Sequence, residues 1–152
     1  MESAIELLRQ TRPILLRLMD GLSEAQLLEI PHGFRNNILW NVGHVVVSQQ
    51  GLHYRMSGLD QYVSDEQVAQ FRKGSDPADW KETPDVGLVK KQLTELADRL
   101  MDDYRAGRFT RYQEYPTSTG PVLRSIGDAI AFNNYHEGYH TGIVMAQRRL
   151  VR

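Results

Sequence analysis

Apolar residues recur at helical spacing through most of this chain. Ile5, Leu8, Leu15, Leu18, Met19 and Leu22 fall three, four or seven positions apart, the repeat that gathers side chains on one face of a helix. With Leu16 they predict a first helix over about residues 3–21, ending near Gly21 and bent at Pro13, whose ring nitrogen has no hydrogen to donate. A polar connection containing Pro31, His32 and Gly33 follows. Asn36 and Asn37 are candidate N-caps for a second helix over about residues 38–57, because an Asn side chain accepts an orphan amide hydrogen of the first turn.

The segment over residues 58–82 is rich in Gly, Ser, Asp and Pro and reads as a long crossover, in which Val68, Ala69 and Phe71 can make a turn or two of helix. Thr83-Pro84-Asp85 opens a third helix, with Pro at its first position, that Val86, Val89, Leu93, Leu96, Leu100 and Met101 carry to about Arg105 before Gly107. Between Arg108 and Arg124, Phe109, Tyr112 and Tyr115 are set among Thr, Pro and Gly; a small hairpin and a plain loop both fit. Ser125 and Asp128 resemble a capping box for a last helix over about residues 126–150. Four helices with a long crossover between helices two and three predict an all-α fold, a four-helix bundle that takes residues 1–152 as a single domain.

Composition narrows the chemistry. There is no cysteine among the 152 residues, so disulfides, thiolate metal sites and cysteine nucleophiles are excluded. With 18 basic against 19 acidic side chains the net charge is −1, which argues against a nucleic-acid partner. No apolar run approaches the roughly 20 residues that span a bilayer. Met1-Glu2-Ser3-Ala4 does not read as the start of a signal peptide, so a cytoplasmic protein is expected.

Five histidines remain. His136 and His140 stand four apart in the last helix, about 40° around it and about 6 Å along it, so both imidazoles can converge on one ion. A bundle-facing stripe of Asn133, His136, His140, Ile143 and Gln147 continues the one begun by Ile126 and Ala129. Polar groups in an apolar seam are costly unless satisfied, and a metal ion would satisfy them. His44, central in the apolar run Val42 to Val47 of the second helix, is the third candidate ligand; either parallel or antiparallel packing against the last helix would bring it to the pair. Three neutral imidazoles leave coordination positions for water or substrate. They suit several metals, with Zn or Ni the first expectation. His53 lies about 180° around the helix from His44 and His32 falls in a connection, so neither joins the set.

His136-Glu137-Gly138-Tyr139-His140 also satisfies H-E-x-x-H, the zincin pattern. The stretch after His140 holds no His, Asp or Glu to complete such a site, which disfavours protease chemistry. Glu137 is then either a base behind the ligands or a solvated residue. Trp40, one turn before His44, either walls the site or fills the core. Asn41 and Asn133 can orient a ligand, and Ser48 can face the pocket. Tyr104, Tyr112, Tyr115, Tyr135 and Tyr139 fit a pocket or a dimer face equally well.

Trp40 with His44 in the second helix, and His136-x-x-x-His140 followed by Gly142 in the last, resemble the DinB-like (DinB/YfiT) superfamily over essentially the whole chain. The resemblance implies an up-down-down-up bundle, often a homodimer, with a divalent metal on His44, His136 and His140. It also implies either a hydrolase or a thiol-dependent transferase or isomerase, acting on a small molecule such as a low-molecular-weight thiol. Thr141 and Ile143 depart from the Arg and Gln frequent beside this glycine. The alternative reading is a non-catalytic bundle in which a metal fixes helices two and four or a small ligand is sensed. A closed site with a fourth protein ligand would mark it.

Overall fold

The computed structural model describes residues 1–151, and its order is helical throughout except for one hairpin. Four long helices, α1 (Glu2–Met19), α3 (Ile38–His53), α5 (Val86–Arg105) and α6 (Ile126–Gln147), form the bundle. Two short ones, α2 (Glu24–Leu28) and α4 (Asp65–Phe71), lie in the connections.

The chain begins and ends these helices for local reasons. Asn37 caps α3 by accepting from the Trp40 amide at 2.7 Å, as its side chain predicts. The α-helix stops at His53 and continues as a 3-10 turn over Arg55–Ser57, short of the single helix expected to residue 57. Asp85, not Pro84, begins α5: its carboxylate accepts from Leu88 N, so Pro84 precedes the cap. Gly107 ends that helix region at φ 67, a left-handed conformation that glycine adopts without strain. Ser125 caps α6 through Asp128 N, while the Asp128 carboxylate reaches Arg124 N instead of the cap residue. Helix α1 runs through Pro13. Tyr115–Pro116 (β1) and Val122–Leu123 (β2) pair antiparallel, so the hairpin forms where hairpin and loop were both open.

Helices α1 and α3 each pack on both α5 and α6 and lie diagonally across the bundle. Directions follow from paired residues. Glu2 meets Arg105 and Arg9 meets Asp98, so α1 and α5 are antiparallel. Asn134 donates to Ala4 O and Arg148 to Leu18 O, so α1 and α6 are parallel. Asn41 binds Gln147 while Leu52 packs by Ala129, so α3 and α6 are antiparallel. Tyr54 reaches Asp103 from the C-terminal end of α3, where α5 also ends, making those two parallel. Parallel neighbours need a long return, and the segment from Tyr54 to Asp85 with α4 supplies it. The topology is up-down-down-up.

Helix α3 is the axis of the core. Nearly every position from Ile38 to Val47 is buried, because α4, α5 and α6 cover it on different sides. A histidine in its middle therefore faces protein or a cavity in protein.

Candidate metal centre

His44 from α3 and His136 and His140 from α6 come together, with one ring nitrogen of each within 4.8 Å of the other two. Ring centroids are 4.8 Å apart for His44 and His140, 5.1 Å for His44 and His136, and 4.6 Å for His136 and His140. The antiparallel packing of α3 and α6 is what makes residues 92 to 96 positions apart neighbours, while the i,i+4 spacing supplies the pair.

Two of the rings are held by hydrogen bonds at Nδ1. His44 Nδ1–H donates to the Phe71 carbonyl at 2.7 Å, and the last turn of α4 thus fixes it. His140 Nδ1–H donates to Asn41 Oδ1 at 2.8 Å. Asn41 is itself oriented, since its amide donates to Asn37 O and to Gln147 Oε1. A proton on Nδ1 leaves the lone pair on Nε2, the tautomer that a metal ligand needs. Ser48 Oγ–H lies 3.2 Å from that nitrogen of His44. His136 has a buried Nδ1 with no hydrogen-bond partner. Trp40 stacks flat on His44, centroids 4.7 Å apart and planes 7° from parallel, and is pinned by Nε1–H donating to Ser75 Oγ.

Burial keeps all three rings neutral. Loss of solvation, with the neighbouring histidines adding to it, pushes His140 down to about 3 and His136 to about 4. His44 is lowered for the same reason; the Phe71 carbonyl works against that shift and the Lys73 charge works with it. Three buried lone pairs with few donors are a costly arrangement. A cation relieves it, and the donor set fits a divalent ion that accepts imidazole nitrogen.

Gly43 shows how closely the site is fitted. A Cβ at this position would come within 2.4 Å of the Phe71 ring, whose own backbone carbonyl holds His44. Alanine in a helix interior ordinarily stabilises by about 1 kcal/mol over glycine. Here Gly43→Ala should instead cost about 1–3 kcal/mol in a urea melt, because Phe71 must shift in a filled core. A stabilised Gly43→Ala protein would contradict this packing.

A cavity of about 300 Å³ reaches His44 and His136 from the side of the hairpin. Val47, Leu52 and Phe132 give it an apolar wall, and Ser48 and Tyr115 also line it. His140 lies behind the other two rings, with Tyr139 edge-on to it.

The remaining candidates separate clearly. His32 is exposed and remote. His53 is fully buried, pushed down to about 3 by desolvation, and belongs to no ligand group among the described residues. The solvated reading of Glu137 is incorrect: it is 4% exposed and faces α1, where both its oxygens bind Arg12 at 2.8 and 3.1 Å. That carboxylate also accepts from Asn133 Nδ2 at 2.8 Å, which points it away from the triad and removes the zincin reading. The buried stripe of α6 is Asn133, Glu137, His140, Val144 and Gln147. His136 and Ile143, placed on that stripe by spacing, are only half-buried. The half-exposure of His136 is what opens the triad to the cavity. Tyr135 and Tyr139 point outward, 62% and 61% exposed. The Phe71 carbonyl and Arg12 carry no signal in the sequence, while the hairpin wall is legible only through Tyr115, which fits a pocket or a dimer face there and lines the cavity here.

None of the curated proteins compared with this chain matches it. Among solved structures it is similar to YfiT from Bacillus subtilis, with a TM-score of 0.64 at 16% identity, covering 97% of this chain and 85% of that one. YfiT is described as a probable metal-dependent hydrolase with an unusual four-helix bundle topology. At that identity the likeness establishes the fold. The sequence pattern of the DinB superfamily matches residues 7–144. Its span, the up-down-down-up bundle and the converging histidines agree: this chain belongs to the DinB superfamily.

Proposed function

We propose that the protein is a metal-dependent enzyme that holds one divalent ion, Zn or Ni, on His44, His136 and His140 and acts on a small molecule by hydrolysis or by thiol transfer. The observation that carries the reading is an open donor set: three neutral imidazoles converge, two of them oriented from behind, and a cavity reaches two of them. When bound, such an ion lowers the pKa of a water or thiol and polarises the substrate as a Lewis acid.

The chain's own residues divide the remaining work. Phe71 O and Asn41 Oδ1 keep the Nδ1 protons of His44 and His140 in place, so the Nε2 lone pairs point at one locus. Trp40 excludes water from the buried side of His44. A reacting thiol, in the transfer reaction, arrives with the substrate, because the chain has no cysteine. Three donors, with no fourth His, Asp or Glu grouped with them among the described residues, favour this over a purely structural metal, which would be closed by the protein.

The homodimer belongs to the same proposal, with Tyr135 and Tyr139 on the outward face of α6 as its first candidate contact. Light scattering at micromolar concentration should then give twice the 17.4 kDa chain mass; a monomer would remove it. For activity, the metal-loaded protein is assayed on ester, amide and thiol-conjugation substrates beside His44→Ala and His140→Ala. Turnover lost in both variants is expected. Equal rates in all three proteins would overturn the catalytic reading.

A further inference from the structure

Three cations stand around the cavity beside the triad. Arg55 comes from the 3-10 turn after α3, and Arg72 and Lys73 directly follow α4, whose last carbonyl holds His44. Several cations elsewhere on this molecule meet carboxylates, among them Arg9 with Asp98, Arg12 with Glu137, Arg105 with Glu2 and Arg108 with Asp103. The side chains of Arg55, Arg72 and Lys73 form no ion pair among the described residues, and no Asp or Glu lines this cavity. The chain as a whole is at −1, so this local excess of positive charge is a property of the cavity and not of the composition. A concave, partly apolar wall strengthens the field of such charges. Guanidinium groups bind planar or tetrahedral oxyanions through paired N–H donors.

Building on the metal reading, we propose that the substrate is a small molecule with an oxyanion tail, carboxylate or phosphate, which Arg55, Arg72 and Lys73 hold while an apolar middle lies along Val47, Leu52 and Phe132 and the reacting group faces His44 and His136. The cavity of about 300 Å³ limits it to a metabolite-sized compound. The cations act as binding and positioning groups, and the anion at the mouth sets which end of the molecule reaches the histidines.

The test uses the cobalt-loaded protein and three short alkyl hydroxamates that differ only at the far end: carboxylate, phosphonate or neutral amide. The hydroxamate seeks the metal and perturbs the cobalt absorption, while the tail reports on the cations. At low ionic strength the charged tails should bind about tenfold or more tightly than the amide, the gain from one charge-assisted contact. Carboxylate against phosphonate decides which oxyanion is preferred. In Arg55→Gln/Arg72→Gln/Lys73→Gln the advantage should vanish while the amide binds as before and cobalt content is unchanged. Equal binding of all three tails to the unmodified protein, or an advantage that survives in the triple variant, overturns the proposal. A chain that holds no cobalt sinks the metal reading by that result alone. The anion site is then read by amide chemical shifts on titration with glutarate against glutaramide. Shifts at Arg72 and Lys73 with glutarate only would support it, and identical responses would overturn it.

Discussion

Glu137→Ala should destabilise the protein by about 3–5 kcal/mol, close to the whole stability of a marginal domain at about 5–15 kcal/mol. The Arg12 side chain is 0% exposed and sits between α1, α5 and α6. Its Nε and Nη2 are satisfied by Glu137 and its Nη1 by the Leu93 carbonyl at 2.9 Å. Truncating the carboxylate strands a guanidinium where water cannot reach, and leaves Asn133 Nδ2 without its acceptor. Removing both charges is a different experiment. Arg12→Met/Glu137→Leu replaces the pair by apolar groups of similar reach and should cost far less than the single change, because no uncompensated ion remains. Urea melts of the three proteins check this. Single and double variants of equal stability would show that the pair does not behave as a buried ion pair. The same comparison bears on the histidines: Glu137 lies three residues before the proposed ligand His140, yet its carboxylate is spent on joining helices.

The metal-free chain should lose stability steeply as pH falls from about 6.5 toward 4. His53, His136 and His140 are held down to about 3, 4 and 3 by burial, and His44 is shifted in the same direction. In the unfolded chain each protonates near 6.5, the ordinary histidine value. Below that pH the unfolded state binds protons that the native state refuses, so unfolding becomes more favourable with every step of acidification. The contribution is fully present above about 6.5 and drains away through the window down to the folded values, at up to about 1.4 kcal/mol per pH unit for each histidine. Urea midpoints measured from pH 7.5 to 5 should fall accordingly, and His53→Gln should reduce the slope by about one proton without touching the triad. A flat profile over this range would mean that these rings are not buried neutral. Zinc should move the profile toward lower pH, because a bound ion stabilises the same deprotonated ligands.

The bundle could be read from the sequence because its causes are local. Periodicity and caps such as Asn37 and Ser125 act within a few residues, and four long helical segments, two of them amphipathic and one apolar nearly all round, leave few ways to pack. Helix α2, of only five residues, escaped because it completes little more than one turn, although Ser23 and Gln26 form its capping box in plain view. In the site, His136 and His140 are visible as a spacing and His44 as a polar residue in an apolar run. The orientation of α6 is harder. Stripes 133–136–140–143–147 and 133–137–140–144–147 fit a 3.6-residue repeat equally well, and the second is the buried one. What decides between them is Arg12, which lies 125 residues from Glu137 in the chain. The Phe71 carbonyl is a backbone atom that any residue would present. Arg55, Arg72 and Lys73 look like ordinary surface charges until the crossover folds them over the triad.

If His44, His136 and His140 hold a divalent ion together, zinc binds in a fixed ratio to the chain. Zinc titration of metal-free protein, followed by elemental analysis after dialysis, measures that ratio. One ion per chain is predicted for the unmodified protein, none retained by His44→Ala or His140→Ala, and one still retained by His53→Gln and His32→Gln. Loss of stoichiometric zinc from the unmodified protein after reconstitution, or its retention at full stoichiometry in His140→Ala, would contradict the account.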